Sequence, residues 1–560
     1  MKSAMMILFV SCVAAVLSLP AVLSAPTTVY VTWDSNTNEF TPSMTKGDNI
    51  AAEGTFENTI NSTGWTYLRV VTNPFLPDWV QAYAAGLAEA RLTSDLISLT
   101  DRNTNEGFCP KPYSELCLRL KKFLDDNIAY AKDNFHNPDS FWYQFYLYLV
   151  QIMGIQDAFE NQGQVSYSRH EKEVDIHTFG IVYLMQVGGD IEDLMEALKD
   201  PSERTDKISA PGPGHCSGLI KLTEGYQELF SSQVTWSHLN TMLRVLKMYE
   251  LNFRVNATSE EKIPGYQQGF SSYPAVTSSG DDFYVLSSGL MSLETTIGNY
   301  NDNLWKFVTP EAVLEAARVT VANRLAVTSK GWTDIFAARN SGTYNNQYVI
   351  VDYKMFVPGG TQAPPGMVYV TEQIPGLVAS EDVTERLYSD GFFGSYNIAY
   401  NDVIWKEAGF GDLVEKWGDW WDYEEHPRAK IYRRDHGKVK DLPSMMALMR
   451  YNDFTKDPLA RCDCNPPYSA ENAVSARSDL NLPNGTYPFP ALSFHGHAGI
   501  DAKVTSFELF RKMSFSAVGG PTYTDVPAFQ WSNTNVNMSH FGMPDLWKFE
   551  PILFGSESFP

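Results

Sequence analysis

Three features of the sequence predict an α+β fold: helical periodicity in the first half, strand patterns in the second, and enough apolar residues for a large core. Of the 560 residues, 44% are hydrophobic and only 19% are charged, which is typical of a folded chain rather than a disordered one. The formal net charge of −23 excludes a protein that binds nucleic acid through bulk positive charge. Length alone is compatible with several domains or with one large enzyme domain.

Residues 1–25 have the pattern of a secretory signal peptide, with basic Lys2, an apolar run over 5–22 and the small pair Ser24 and Ala25. An uncleaved signal anchor is the alternative, since the run is barely long enough to span a bilayer. Beyond it no stretch of about 18 consecutive apolar residues occurs, which favours a mature protein without a transmembrane segment, soluble in the secretory pathway. Four sequons predict glycosylated loops there: Asn61, Asn256, Asn484 and Asn537.

The chain has six cysteines, of which Cys12 lies in the predicted signal peptide. Two close pairs are candidates for local disulfides in an oxidising lumen: Cys109 with Cys117, and Cys462 with Cys464. The ring that the second pair closes would be small. Cys216 has no local partner, so it is either a buried, inert thiol or a reactive one.

The first half contains one strand pattern, over 64–72, and then helical patterns. Helices are predicted over 79–100, 140–159 and 190–198. The middle one carries an aromatic stripe whose three- and four-residue spacing favours core packing over a cofactor site. The stripe consists of Phe141, Trp142, Phe145, Tyr146 and Tyr148. Pro and Gly are frequent in 200–215, which predicts an exposed, cleavable linker.

Strand patterns begin at Cys216. Residues 216–222 and 229–236 predict a hairpin that turns at Gly225, and 237–251 predict a helix.

A second group of strands follows later in the chain. Residues 281–288 and 290–297 predict a strand pair that turns at Gly289. Thr309 as N-cap and Pro310 at the first helical position predict a helix that ends at about 326. Two more strands, over 347–356 and 367–374, are rich in Val, Tyr and Ile.

The segment Gly214-His215-Cys216-Ser217-Gly218 satisfies G-x-C-x-G, a thiol form of the α/β-hydrolase nucleophile elbow. That elbow needs a strand before the nucleophile and a helix after it, whereas Cys216 follows a Pro/Gly loop and begins a strand. An N-terminal nucleophile hydrolase needs the observed order, because its chain cuts itself and the nucleophile becomes residue one of a strand. The freed α-amine, with a pKa close to neutral, can then act as the general base.

Further motifs extend the pattern over most of the chain. They are GHCSGLIK (214–221), FSSYP (270–274), DDFY (281–284), NSGTYNNQ (340–347), EQIP (372–375), YRRD (432–435), MRYNDF (449–454) and GMPDLWKF (542–549). In this order they resemble the phospholipase B-like family of lysosomal and secreted proteins. The resemblance implies a four-layer αββα N-terminal nucleophile hydrolase fold, a cut before the Cys, no cofactor, and hydrolysis of acyl chains from glycerophospholipids or related amides.

Carried over by position, Cys216 matches the nucleophile and the scissile bond joins His215 to Cys216. The thiol would attack the preceding carbonyl and leave a thioester for water; in turnover it would attack the substrate, with its own amine moving the proton. Both parts, 26–215 and 216–560, are expected to form one domain and to stay associated, since the aromatic-rich first part cannot expose its apolar stripe alone. Contact with a lipid surface would be peripheral.

Gln233 is a departure from the family pattern, in which a His commonly stands two residues before the Thr/Ser-Trp pair. Gln forms hydrogen bonds but takes no proton near neutral pH, so turnover, its pH dependence or the substrate would change if that His tunes the thiol. Thr235 and Trp236 are candidates for pocket-lining residues, with simple hairpin packing as the alternative.

Other polar candidates stand at strand ends. Asn345 and Asn346 precede the strand over 347–356, where an amide would serve as an oxyanion donor or, equally well, form a structural turn. Asn397 is a second amide expected near the thiol. Of the two arginines after a strand-like segment at 429–432, Arg434 is favoured over Arg433 for holding a carboxylate or phosphate.

Two other functions, metal binding and lipid or receptor binding without catalysis, have weaker support in the sequence. His495 and His497 resemble part of a metal site, but no third ligand of matching spacing is evident, so no metal is predicted. A non-catalytic lumenal glycoprotein that binds lipid or a receptor is the rival class; Gln233 favours it, and the intact segment around Cys216 opposes it.

Overall fold

Two large β-sheets and several long helices form the fold, in a computed structural model that describes residues 25–204, 207–208 and 215–558. The predicted signal peptide, apart from its last residue, and half of the predicted linker (205–206 and 209–214) lie outside the described residues. The combination of helices and sheets confirms the α+β class predicted from the sequence.

Strands and helices are distributed along the whole described chain. The strands are β1 (Thr27–Asp34), β2 (Glu39–Ser43), β3 (Ile50–Asn58), β4 (Thr66–Thr72), β5 (Tyr167–Ser168), β6 (Cys216–Leu222), β7 (Leu229–His238), β8 (Val245–Glu250), β9 (Gln267–Ser272), β10 (Phe283–Leu286), β11 (Leu290–Thr296), β12 (Asn346–Asp352), β13 (Val368–Ile374), β14 (Leu377–Asp382), β15 (Phe392–Ser395), β16 (His497–Gly499), β17 (Asp501–Ser506), β18 (Ser514–Gly519), β19 (Phe529–Gln530), β20 (Leu546–Trp547) and β21 (Ile552–Gly555). The helices are α1 (Ile60–Thr63), α2 (Asp78–Thr104), α3 (Glu115–Asn134), α4 (Ser140–Glu160), α5 (Ile181–Gln186), α6 (Gly188–Ala197), α7 (Glu315–Leu325), α8 (Ser329–Ala337), α9 (Thr384–Asp390), α10 (Asp402–Glu407), α11 (Phe410–Trp417), α12 (Pro427–Asp435), α13 (Leu442–Met449) and α14 (Phe507–Phe510). None of these described helices is both long and apolar enough to cross a membrane.

The described strands form a 12-stranded sheet and a 7-stranded sheet, besides the small pair β19-β20. The larger sheet has the order β14-β13-β12-β11-β10-β9-β8-β4-β3-β1-β2-β5. The smaller has the order β15-β6-β7-β17-β18-β21, with β16 paired to β7. Since β4 and β8 pair in parallel, strands from before and after the linker share one sheet.

Strand β8 occupies part of the segment for which the sequence predicts a helix, 237–251, and that prediction is wrong. Leu246 and Met248 face the other sheet, whereas Val245 and Tyr249 face the helices. A strand that is buried on both faces has a nearly continuous apolar sequence, which periodicity alone does not separate from a buried helix.

The core consists mainly of three apolar clusters that the two sheets separate. One cluster lies between the larger sheet and helices including α2, α4 and α7, a second lies between the sheets, and a third lies between the smaller sheet and α10 to α13. Successive strand residues point to opposite faces. In β6, Ile220 belongs to the cluster between the sheets and Leu219 to the cluster under the helices. Strand β6, which starts at Cys216, is therefore buried on both faces.

Most other predicted elements are present with shifted ends. The predicted hairpin is β6 and β7, and its turn residue Gly225 has φ +69°, which favours glycine. The helix predicted from Pro310 begins only at Glu315. The aromatic stripe of α4 is buried, as predicted.

Both predicted disulfides are present, Cys109–Cys117 and Cys462–Cys464. Three of the sequon asparagines are exposed, Asn61, Asn484 and Asn537, and the fourth, Asn256, is half-buried. Most of these asparagines are therefore accessible at the surface.

Candidate active site

Cys216 begins β6, and the residue is only 3% exposed. It is the one free thiol among the described cysteines. The residue borders a cavity of about 660 Å³ whose wall also contains Trp236, Tyr344 and Asn397. Because β6 continues as a strand to Leu222, the strand-turn-helix elbow considered from the G-x-C-x-G pattern is excluded.

The carbonyl oxygen of His215 accepts a hydrogen bond from the backbone N–H of Trp236, with an N···O distance of 2.6 Å. The antiparallel pairing of β6 with β7, in which Cys216 lies opposite Thr235, fixes this contact. A donor at this oxygen stabilises the negative charge that forms there when a nucleophile attacks the carbonyl carbon.

Glu294 of β11 is the carboxyl group at the thiol, with 3.9 Å between Sγ of Cys216 and Oε1. Burial, and then the charge of Glu294, raise the pKa of Cys216 well above its ordinary value. Burial and the neighbouring Asp282 and Asp281 likewise raise the pKa of Glu294. Both groups are therefore stabilised in their neutral forms, so reaction needs a group that removes the thiol proton.

Gln233 belongs to β7 of the smaller sheet and is fully buried. Its Nε2 donates to the carbonyl oxygens of Asp281 at 2.6 Å and Glu294 at 2.7 Å. Its Oε1 has no hydrogen-bond partner among the described residues. The side chain therefore connects β7 to the strand that carries Glu294.

A buried charge network holds Thr235. Its Oγ1 donates to Asp281 at 2.6 Å, and its backbone N–H donates to Asp501 at 2.9 Å. Lys503 donates to both carboxylates at 2.9 Å, and Arg244 pairs with both as well. Burial alone would raise the pKa of Asp281, but the charges of Arg244 and Lys503 outweigh it and hold that pKa below its ordinary value. Asp281 is therefore an ionised acceptor, and its contact with Thr235, together with that of Asp501, fixes the strand opposite the thiol.

Arg428 connects Cys216 to the loop that carries Asn397. Its Nη1 donates to the carbonyl oxygen of Cys216 at 2.5 Å and to Oγ of Ser217 at 3.1 Å. Its Nη2 donates to the carbonyl oxygen of Tyr396 and to Oδ1 of Asn397, both at 2.8 Å. Asn397 thus lies in the wall of the cavity that Cys216 borders.

Helix α12 explains why Arg428, rather than Arg434, reaches the backbone of Cys216. Pro427 starts the helix and the side chain of His426 caps it, so the strand predicted at 429–432 is wrong. Helical spacing turns Arg428 inward, while Arg434 pairs with Asp435 and Asp457 on the other side. Arg434 is not among the described residues that line the cavity.

Asn345 and Asn346 are both fully buried but are absent from the described cavity wall. Nδ2 of Asn345 donates to Asp193 at 3.0 Å and to the carbonyl oxygen of Gly342 at 3.1 Å. Asn346 donates to Glu315 at 3.4 Å. These contacts are those of the turn that leads into β12, the alternative that the sequence left open.

Several polar groups at the site were not among the sequence-based candidates. Asp281 stands in the DDFY motif, so that motif was a usable signal for it. Glu294, Arg428 and Asp501 carry no local signal, since only the packing of strands and of α12 brings the first two to Cys216 and the third to Thr235. Glu471 approaches His495 and His497, with one ligand atom from each within 4.8 Å of the others, a separation that chain spacing conceals.

The sequence of this chain is similar to those of known proteins over most of its length. A family model described as phospholipase B matches residues 52–554. The Mus musculus protein "Putative phospholipase B-like 2" is 46% identical over 88% of this chain and 83% of its own. "Putative phospholipase B-like 1" of Caenorhabditis elegans is 42% identical over 89% of this chain and 86% of its own. "Phospholipase B-like protein B" of Dictyostelium discoideum is 36% identical over 91% of this chain and 86% of its own. With these extents of similarity and the motifs around Cys216, the chain belongs to the phospholipase B-like family.

Proposed function

We propose that this protein is a self-processing thiol hydrolase that removes acyl chains from glycerophospholipids or from related amides. The observation that carries the proposal is the position of Cys216, at the start of a buried strand, beside a cavity and directly after a carbonyl oxygen that already accepts an N–H. Two sheets with a shared apolar cluster and helices on their outer sides support an αββα N-terminal nucleophile hydrolase fold.

Self-cleavage would begin at the thiol. Sγ of Cys216 attacks the carbonyl carbon of His215, and the N–H of Trp236 stabilises the oxyanion. The C–N bond then breaks, the acyl group stays on sulfur as a thioester, and the proton lost by the thiol passes to the leaving nitrogen. Glu294, whose Oε1 lies 3.9 Å from Sγ, can relay that proton, because a neutral carboxyl group can donate its own proton while its other oxygen accepts one. Water hydrolyses the thioester and gives a His215 carboxylate and a free Cys216 amine.

Turnover would repeat this chemistry on a substrate. The freed amine of Cys216 takes the thiol proton, sulfur attacks the acyl carbon, and the alcohol or amine of the substrate leaves with that proton. Water then releases the fatty acid from the thioester. Asn397 supplies an amide in the wall of the cavity where the acyl carbonyl would lie.

The two fragments, 26–215 and 216–560, would stay associated after the cut and form one domain. Strand β4 of the first fragment pairs with β8 of the second over six residues, from Thr66 with Val245 to Val71 with Glu250. Nζ of Lys247 lies 2.7 Å from the carboxylate of Glu89, and both side chains are fully buried. Separation would expose this ion pair and the apolar stripe of α4 to water.

We also propose that the protein is secreted or lysosomal and is glycosylated. The signal-like start, two disulfides and exposed sequon asparagines support this location. Contact with a lipid surface would be peripheral.

The first experiment is intact mass measurement with N-terminal sequencing of the protein from a secretory host, compared with Cys216→Ala. A fragment that begins at Cys216 in wild type and in His215→Ala, but not in Cys216→Ala, supports cutting by the thiol. Release of fatty acid from a phosphatidylcholine and from an N-acyl amide of equal chain length would then identify the bond. A cut in Cys216→Ala, or equal release by that variant, would contradict the mechanism.

A binding protein without turnover is the second candidate, and Gln233 is the observation that favours it. The family pattern implies a His at this position, whereas the buried amide of Gln233 takes no proton near neutral pH, so the thiol would lack that proton acceptor. Cys216→Ser separates the two functions, since an enzyme loses turnover or maturation while a binder keeps its affinity for lipid.

A further inference from the structure

A group of imidazoles lies beside the proposed cleavage site and has no role in the chemistry above. His497 of β16 lies opposite His238 of β7, with ring centroids 5.8 Å apart. The ring of His215 lies 6.2 Å from that of His497, and the ring of His495 lies 5.5 Å from it. His215 and His238 line the cavity that Cys216 borders.

His497 is the most unusual member of this group. Its side chain is buried, with the residue 1% exposed, and neither Nδ1 nor Nε2 has a hydrogen-bond partner among the described residues. Burial of unpaired polar atoms is costly, and native proteins rarely leave both nitrogens of one ring in this state. The ring is therefore suited to a ligand other than a protein hydrogen-bonding group.

Two neighbours of His497 are oriented by their own hydrogen bonds. Nδ1 of His495 lies 2.9 Å from the carbonyl oxygen of Ser493, which can only accept, so the hydrogen is on Nδ1 and Nε2 carries a lone pair. That Nε2 has no hydrogen-bond partner among the described residues. Oγ of Ser478 donates to the buried carboxylate of Glu471 at 2.6 Å. Such bonds to a carbonyl and to a carboxylate are typical of groups that orient metal ligands.

We propose that Glu471, His495 and His497 form a binding site for a divalent transition metal, with Zn²⁺ as the ion that two imidazoles and one carboxylate suit best. One ligand atom from each residue lies within 4.8 Å of the others. Zinc lies about 2.0–2.2 Å from such ligands, so the three atoms need to approach one another by about an ångström.

The bound ion would have a structural role next to the scissile bond. It would join the segment that carries Glu471 to β16, and β16 pairs with the end of β7, from Trp236 to His238. The N–H of Trp236 holds the carbonyl oxygen of His215. The metal would therefore stabilise the strand end that positions this carbonyl, without contact to the reacting atoms.

Zn²⁺ titration of purified, EDTA-treated full-length protein without a histidine tag tests the proposal. Calorimetry gives the stoichiometry, and the visible absorption of added Co²⁺ reports nitrogen and oxygen ligands. The variants are His495→Gln and Glu471→Gln, with His540→Gln, an exposed histidine, as the matched control. Thermal unfolding in EDTA establishes that each variant is folded.

Wild type and His540→Gln should bind one more equivalent of Zn²⁺ than the two site variants, or bind it at least about tenfold more tightly. Zinc should raise the unfolding temperature of the first two proteins alone, and the Co²⁺ band should be lost in the site variants. Equal stoichiometry, affinity and zinc-induced stabilisation in all four proteins would overturn the proposal. Because Glu471→Gln keeps the size of the side chain, it answers the question if His495→Gln does not fold. The outcome is independent of whether the thiol hydrolyses lipid.

Discussion

Nη1 of Arg428 lies 2.5 Å from the carbonyl oxygen of Cys216. The other arm of the same guanidinium holds Oδ1 of Asn397 at 2.8 Å. One rigid, planar side chain therefore sets the distance between the thiol residue and the amide in the cavity wall. Lysine has no second arm with which to make both contacts.

Arg428→Lys should slow both the cut before Cys216 and acyl hydrolysis by about tenfold to 100-fold, because small displacements of reacting groups cost that much. The fraction of cut chain over time and the rate of fatty acid release measure the effect. Arg434→Lys is the matched control on the same helix, since Arg434 pairs with Asp435 and Asp457 instead. Equal losses of rate in both variants, with unchanged circular dichroism, would show that Arg428 has no specific role in the site.

The contrast between these two arginines shows what sequence patterns can and cannot reveal. The motif around Cys216 and the hairpin that follows it are local, so the thiol, Thr235 and Trp236 were predictable from order along the chain. The role of Arg428 follows from the helical spacing of α12 and was missed because part of this segment was interpreted as a strand. The position of Glu294 next to Cys216 follows only from the stacking of the two sheets, which the sequence does not show. Strand β8, apolar on both faces, had the appearance of a helix for a similar reason, because burial on both sides removes the alternation that identifies strands.

Asp501→Asn should lower the free energy of unfolding by about 3–5 kcal/mol, because it leaves Arg244 and Lys503 buried with a single carboxylate between them. Chemical denaturation of the purified protein measures the change. Glu508→Gln removes a surface ion pair with Lys512 and serves as the control, with an expected change below about 1 kcal/mol. Similar values for the two variants would show that the buried network contributes nothing beyond a surface pair.

Asp282→Asn should become progressively more stable relative to wild type as the pH rises from about 5 to about 8. Burial, and then the charge of Asp281, raise the pKa of Asp282 to about 7. A carboxyl group with a raised folded pKa stabilises the fold below its unfolded pKa, and this stability is lost as the pH rises through the folded pKa. The asparagine has no proton to lose, so the difference should reach the order of 3 kcal/mol.

Calorimetric unfolding of both proteins over that pH range checks the Asp282 prediction. Asp334→Asn, at an exposed surface pair with Lys330, is the control and should follow the wild-type curve. Parallel curves for wild type and Asp282→Asn would contradict the assignment of a neutral, buried carboxyl group.

Gln233→His should give the pH profile of kcat/KM a new inflection near neutral pH. Nε2 of Gln233 donates to the carbonyl oxygens of Asp281 and Glu294, and an imidazole N–H can replace one of these bonds. Unlike the amide, the imidazole can take a proton, and it would do so within the strand pair that faces the thiol. Rates of acyl release by wild type and Gln233→His across the same pH series measure the effect, with Cys216→Ala/Gln233→His as the blank. If the two active proteins gave superimposable profiles while both were cut before Cys216, position 233 would have only a hydrogen-bonding role, and the amide in this chain would be no obstacle to turnover.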